Sequence, residues 1–286
     1  MLSILVPAYN EANSIGHTIT RLREIMDHTS SVYEIIVIDD GSGDDTAALA
    51  ESMGVQVVRH PANGGYGRAL KTGMRTAQYE WCAIVDADGT YPLERFPDLL
   101  RFIPSFDMVV GARTGKYYWE STGKALGRQV LGGLVAYTTG TEIPDVNSGM
   151  RIFRKEIALA HVKRISSGFS FTTTLTLAML LEEHFVRYVP IEYHPRVGSS
   201  KVRLWSDTLR MIQILVIAIL YYNPLKLFLP LSLACSALGL MVMIATLALG
   251  QRGGLLFFAG SVEVSVLIGA IGLIAEAIRL HRQFTS

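Results

Sequence analysis

The sequence predicts an α/β fold, a mostly parallel sheet with helices on its faces, followed by an interfacial helix and two transmembrane helices. Three observations carry this expectation. Short apolar runs alternate with helix-length segments over the first half of the chain. Each strand-like run ends in a polar or turn-rich segment. Two long apolar stretches close the chain. A net charge of +1 with 18% charged residues averages a polar domain with an apolar tail. No nucleic-acid partner is expected.

Leu2–Val6, Glu34–Ile38, Val55–Arg59 and Trp81–Val85 read as strands. Ser14–Met26, Asp44–Met53 and Tyr66–Tyr79 read as the helices between them. In such sheets ligands bind beyond the carboxyl ends of the strands. The segments there are 7–11, 39–42, 61–65 and 86–89, and they should converge on one rim. The first turn lacks Gly-x-Gly-x-x-Gly, and no Gly-x-x-x-x-Gly-Lys-Ser/Thr loop occurs. Dinucleotide and P-loop folds are therefore disfavoured. Ser42 and Asp44 are as well explained by capping the next helix as by ligand contact. Arg68 and Lys71 lie one turn apart and suit a solvated face. His60 and His194 have no Cys or His at metal spacing and read as surface or turn residues.

Trp205–Tyr222 contains a strongly apolar core too short for a full span, broken from the next apolar stretch by Asn223-Pro224. An interfacial helix fits, with Trp205, Tyr221 and Tyr222 at headgroup level. Leu227–Gly250 and Leu255–Ile278 are each roughly 36 Å long as helices, enough to span a bilayer. The expected organisation is a cytosolic domain over 1–204, an interfacial helix over 205–224 and a membrane hairpin over 225–286. Leu2–Val6 is too short for the core of a signal peptide, so the first domain should stay in the cytosol. Lys201, Arg203, Arg210 and Lys226 precede the spans, Arg279 and Arg282 follow them, and Arg252 lies between. Positive-inside reasoning puts both termini in the cytoplasm. A two-helix hairpin commonly packs with copies of itself, so a homo-oligomer is allowed for. Glu263, at mid-span, reads first as a protonated side chain bonded within a helix bundle. Glu276 is placed to pair with Arg279. Cys82 and Cys235 suggest neither a disulfide nor a metal site.

The chemistry concentrates on Asp86-Ala87-Asp88, at the end of the run Trp81–Val85. Two carboxylates one residue apart repel each other, and no fold needs both there. They do suit a hard divalent cation, which takes carboxylate oxygens and substrate phosphates. The rim already carries Glu11, Asp39 and Asp40, which strengthens that reading.

These residues also carry a resemblance. Val6-Pro7-Ala8-Tyr9-Asn10-Glu11, Val37-Ile38-Asp39-Asp40-Gly41-Ser42 and Asp86-Ala87-Asp88-Gly89, in that order, closely resemble family 2 glycosyltransferases of GT-A fold. Gly111-Ala112-Arg113, the segment Asp145–Arg151 and the segment Arg196–Lys201 look like the subgroup of dolichyl-phosphate mannose synthases and bacterial polyprenyl-phosphate glycosyltransferases. The resemblance covers residues 1 to about 205, and the two-span tail is similar to membrane-anchored members.

The resemblance implies roles. Pro7, Tyr9 and Glu11, with Asp39, Asp40, Lys71 and Asp86, would hold the nucleotide of a UDP- or GDP-sugar. Asp86 and Asp88 would bind Mg²⁺ or Mn²⁺. Asp88, Asp145 and Arg113 would form the catalytic set, with Asp145 near the sugar. Arg113, Arg128, Ser148, Arg196 and Lys201 would meet phosphates of donor or acceptor. Mannose-synthase members commonly follow the metal aspartates with Leu-Gln. Here Gly89 and Thr90 stand there, so that amide has no counterpart. The implied activity is inverting transfer of a sugar to dolichyl or undecaprenyl phosphate. The alternatives are a family 2 transferase using a hydroxyl acceptor on a glycan or lipid, and a non-catalytic membrane scaffold.

Overall fold

The computed structural model describes residues 1–115, 132–163, 165–168, 170–192, 204–250 and 253–285. It divides into two units, Met1–Arg210 and Met211–Ser286. The division falls inside the helix Leu204–Tyr222.

The first unit is built on one seven-stranded sheet of order β3-β2-β1-β4-β6-β5-β7. The strands are β1 (Leu2–Ala8), β2 (Tyr33–Asp39), β3 (Gln56–Arg59), β4 (Trp81–Ile84), β5 (Met108–Thr114), β6 (Arg151–Arg154) and β7 (Val186–Glu192). β1 pairs in parallel with both β2 and β4, β2 with β3, and β5 with β7. Only β6 runs against its neighbours, β4 and β5. Six carboxyl ends therefore share one rim with the amino end of β6. The antiparallel strand brings the segment before Arg151 to the same rim as Asp86.

β1 is buried along its whole length, as a central strand covered on both faces must be. Alternation sorts its side chains. Leu2, Ile4, Val6 and Ala8 join one core with Ile15, Ile19, Leu22 and Met26 of α1 (Ile15–Asp27). Leu5 joins the other with Ala69, Leu70 and Met74 of α3 (Tyr66–Thr76). Ile35 and Val37 of β2 face the first core, Ile36 and Ile38 the second. The helix Phe171–Leu181 adds Phe171, Leu175 and Met179 to the second core. The result is helices on both faces of a mostly parallel sheet, as the strand–helix alternation predicts.

The differences from expectation are local. α2 (Thr46–Ser52) is shorter than Asp44–Met53, because the Asp44 carboxylate accepts the Thr46 N–H at 3.1 Å ahead of its first turn. α3 stops at Thr76 rather than Tyr79, since Ala77 is extended (ψ 131°). His60 is not a plain surface residue. Its Nδ1 lies 2.7 Å from Asp40 Oδ1 and its Nε2 3.0 Å from Thr72 Oγ1. A carboxylate can only accept, so Nδ1 carries the proton there. Asp40 also accepts the N–H groups of Gly64 and Gly65 at 3.0 and 2.7 Å. This buried carboxylate thereby ties the loop after β3 to the loop after β2.

The second unit contains two helices long and apolar enough to cross a membrane, Leu225–Ala248 and Gly253–His281. They lie where the two spans are expected. They meet through small residues: Ser232 Oγ donates to the Ser265 carbonyl at 2.9 Å, and Ser265 Oγ to the Ser232 carbonyl at 2.8 Å. Arg279 Nε donates to Glu276 at 3.1 Å, the expected i, i+3 pair. Glu263 is exposed on its helix.

Gly41 supports the loop that Asp40 organises. Its φ is +73°, and an added Cβ would sit 2.6 Å from the Ala62 carbonyl carbon. Gly41→Ala should cost about 1–3 kcal/mol through strain and backbone displacement, read as a lower midpoint in denaturant unfolding.

Candidate functional site

The rim beyond β4, β6 and β5 gathers most of the predicted chemistry. Tyr66, at the start of α3, donates its hydroxyl to Asp86 Oδ1 at 2.9 Å. Tyr91 lines the same cavity as Asp86, and its oxygen accepts the Gly149 N–H at 2.6 Å. Burial, then the nearby Asp86 charge, push both tyrosine hydroxyls well above their ordinary value. For Tyr91 the cation of Arg113 opposes that rise. Both phenols therefore stay protonated, and Tyr66 donates to the carboxylate. Asp88 turns the next residues: its Oδ1 accepts from Thr90 Oγ1 at 2.7 Å and from Thr90 N–H at 3.2 Å.

Arg113, near the end of β5, is held by Asp145. Its Nε donates to Oδ2 at 2.7 Å, its Nη2 to Oδ1 at 2.9 Å, and its own backbone N–H to Oδ2 at 3.1 Å. The Asn147 N–H completes the set at 3.1 Å. Asp145 is buried, whereas the Arg113 side chain keeps 17% of its exposure. The geometry therefore makes Asp145 an orienter of Arg113. Its carboxylate is committed to four donors, while the guanidinium remains within reach of the rim. Ser148 is fully buried and donates its hydroxyl to the Gly111 carbonyl, joining the loop before β6 to β5.

Below this cluster lies Arg151, at the first position of β6. It is fully buried, and its hydrogen bonds run to backbone carbonyls, a hydroxyl and a thioether rather than to a carboxylate. Its Nε donates to the Ser148 carbonyl at 3.0 Å, and its Nη1 donates at 3.0 Å to both Thr172 O and Thr176 Oγ1. Burial lowers its pKa, and Tyr66, Tyr188, Tyr91 and Asp145 work against that. A guanidinium stays charged despite such a shift.

The nucleotide-side candidates lie along the β1–β2 part of the rim. Pro7 is in β1, opposite Ile38. Tyr9 and Glu11 are half-buried just beyond it. Glu11 takes part in a turn: its N–H donates to Thr46 Oγ1 at 2.8 Å, and its Oε2 accepts from Ser14 Oγ at 3.1 Å. Asp39 is buried and accepts the Ser42 N–H at 3.2 Å. Asn10, at φ 54°, latches this region by accepting the Gly43 N–H at 2.8 Å. Lys71 is not on a plain solvated face. Its ammonium donates to the Ile165 carbonyl and, at 3.1 Å, to Ser167 Oγ, and burial lowers its pKa. Arg128, Arg196 and Lys201 lie outside the described residues.

The sequence gives no sign of Tyr66 and Tyr91, or of the load on Arg151. A tyrosine after Gly64-Gly65 and another before Pro92 carry no local signal for a shared carboxylate. Arg151 closes the segment Asp145–Arg151, and its place directly before Ile152-Phe153 is the available sign of burial.

The family model for glycosyl transferase family 2 matches residues 3–161, more than half of the chain. The chain belongs to glycosyl transferase family 2. Among relatives of this family, a dolichyl-phosphate hexose transferase of Haloferax volcanii is 28% identical, over 70% of this chain and 86% of its own length. An undecaprenyl-phosphate 4-deoxy-4-formamido-L-arabinose transferase of Sodalis glossinidius is 27% identical, over 71% of this chain and 63% of its own. A low-salt glycan biosynthesis hexosyltransferase, also of Haloferax volcanii, is longer. The match spans 53% of its length at 27% identity. Glucosyl-3-phosphoglycerate synthase from Mycobacterium tuberculosis, in complex with Mn²⁺, UDP and glucosyl-3-phosphoglycerate, superposes with a TM-score of 0.61 at 20% identity. The match covers 76% of this chain and 79% of that one. That likeness supports the GT-A fold.

The donor set at the rim fits a hard divalent ion. Asp86 and Asp88 offer carboxylate oxygens, and both residues are half-buried. Gly149 is what lets Asp86 stay there. A Cβ on Gly149 would fall 2.4 Å from Asp86 Oδ2. The clashing atoms are the far end of a side chain, so the fold can survive the change while the carboxylate is displaced. Gly149→Ala should leave the unfolding midpoint nearly unchanged. Mn²⁺ affinity, followed by electron paramagnetic resonance, should fall on the order of 10-fold to 100-fold.

Proposed function

We propose that this chain is an inverting, metal-dependent glycosyltransferase. It moves one sugar from a UDP- or GDP-hexose to a membrane polyprenyl phosphate, dolichyl or undecaprenyl. The observation that carries the proposal is the juxtaposition at one rim of Asp86 and Asp88 with an Arg113 cation locked by Asp145. Relatives named for dolichyl and undecaprenyl phosphate support the acceptor class. Two apolar helices after the catalytic unit support a lipid acceptor.

Asp86 and Asp88 would hold Mg²⁺ or Mn²⁺, which when bound supplies Lewis-acid stabilisation of a leaving diphosphate. The protein groups do the rest. The Tyr66 hydroxyl fixes the rotamer of Asp86. Asp145 fixes the plane of Arg113, so the guanidinium meets phosphate oxygens without first losing side-chain freedom. Arg128, Arg196 and Lys201 are proposed to add positive charge against the acceptor phosphate. A lipid phosphate is already anionic near neutral pH and needs little help from a general base. It does need fixed cations, because two anionic substrates must approach within bonding distance. Pro7, Tyr9, Glu11 and the Asp39–Asp40 edge are proposed to take the base and ribose. Both termini are proposed to face the cytoplasm, on the distribution of Lys and Arg around the hairpin.

The test is transfer of radiolabel from a panel of nucleotide sugars, in detergent, to a polyprenyl phosphate and to the matching polyprenol. Transfer to the phosphate alone, abolished by EDTA and reduced at least ~100-fold in Asp88→Asn, is the expected result. Preferential labelling of the polyprenol would move the chain to the hydroxyl-acceptor class. No transfer from any donor would favour a scaffold.

A further inference from the structure

A second cluster of ligating side chains lies away from the rim. His161 caps the helix Lys155–Ala160, and Glu182 caps the helix Phe171–Leu181. His184 follows two residues later, just ahead of β7. One ligand atom from each of the three lies within 4.8 Å of the others. β5 and β7 run parallel, with Met108 opposite Val186. The cluster therefore sits at the amino ends of these strands, across the sheet from Asp86 and Arg113.

The backbone between the ligands is unusual. Glu183 adopts φ +63°, one of two non-glycine residues with positive φ among those described. A glutamate gains nothing intrinsic from the left-handed region, so the surrounding structure must impose it. The His184 N–H donates to the Met179 carbonyl at 2.9 Å, which closes the turn. Its effect is to bring Glu182 and His184 to the same side, towards His161. His161 is buried and holds Glu182 Oε2 at 2.9 Å from its Nε2. Asp107 Oδ2 stands 3.7 Å from His184 Nδ1 while accepting the Phe185 N–H at 3.0 Å. An outer carboxylate beside a ligating imidazole is a common support for a bound metal.

We propose that His161, Glu182 and His184 form a Zn²⁺ site that staples the end of the helix Phe171–Leu181 to the helix before it. Two imidazoles and one carboxylate suit a borderline ion such as Zn²⁺ and not Mg²⁺. Tetrahedral ligands around Zn²⁺ stand about 3.4 Å apart, so closure from the observed spacing needs only small side-chain rotations. Glu182 and His184 retain 30% and 29% side-chain exposure, which leaves room for those rotations and for a water in the fourth position. The ion would take the place of the direct His161–Glu182 contact. Its role is structural, because the distance across the sheet separates it from the transfer chemistry.

The experiment uses the tag-free full chain in detergent, with excess Mg²⁺ to occupy hard-oxygen sites. Zn²⁺ is titrated against a chromophoric chelator, and thermal unfolding is followed with and without Zn²⁺. One Zn²⁺ per chain and a raised unfolding temperature are expected. His184→Ala and Glu182→Gln should each weaken binding roughly 100-fold, remove the thermal shift and retain Mg²⁺-supported transferase turnover. Asp86→Asn should bind Zn²⁺ as the wild type does. Absence of Zn²⁺ binding by the wild type overturns the proposal. So does undiminished binding in either cluster variant, or loss of binding in Asp86→Asn.

Discussion

A fully buried guanidinium must have its donors satisfied, and Arg151 meets that demand with groups that build the site. Its partners include the Ser148 carbonyl and two oxygens on the helix Phe171–Leu181. Removing a charge from water is costly, and the cost is tolerable only when the surroundings are fixed in advance. The segment 145–150 is therefore pinned from below. That pinning sets Asp145 against Arg113, places the Gly149 N–H on Tyr91, and brings Gly149 against Asp86. The same buried cation faces Asp145 and the tyrosines Tyr66 and Tyr91.

The sheet supplies the other half of the constraint. Parallel strands deliver their carboxyl ends to one side, and a single antiparallel strand, β6, returns the chain there. Residues separated by more than thirty positions thus become neighbours, as Arg113 and Asp145 do. Each half of the rim is organised by its own buried carboxylate. Asp40 ties the loops after β2 and β3, and Asp145 ties the end of β5 to the approach to β6. Buried, fully bonded acids of this kind position other groups and are poorly placed to react themselves.

The first half of the fold is legible in the sequence because its signals are local. Strand-length apolar runs such as Leu2–Val6 and amphipathic helices such as α1 state their period directly. The second half is less legible. β5, β6 and β7 are far apart in sequence, and β6 has only four residues. The aspartates after β4 stand out, since paired carboxylates at a strand end have no packing rationale. The bonding of Asp145 does not, because its partner lies on a strand that no local pattern announces. The role of His60 is hidden for the same reason: its partners Asp40 and Thr72 are distant in sequence.

The central claim is that Asp86 and Asp88 bind the divalent ion through which a nucleoside diphosphate is held. Calorimetric titration of UDP and of GDP into the full chain, with Mg²⁺ or Mn²⁺ and then with EDTA, tests it directly. One of the two nucleotides is predicted to bind only when the divalent ion is present, and Asp86→Asn to lose this metal-dependent binding while remaining folded. Equal affinity in EDTA, or unchanged affinity in Asp86→Asn, would contradict it.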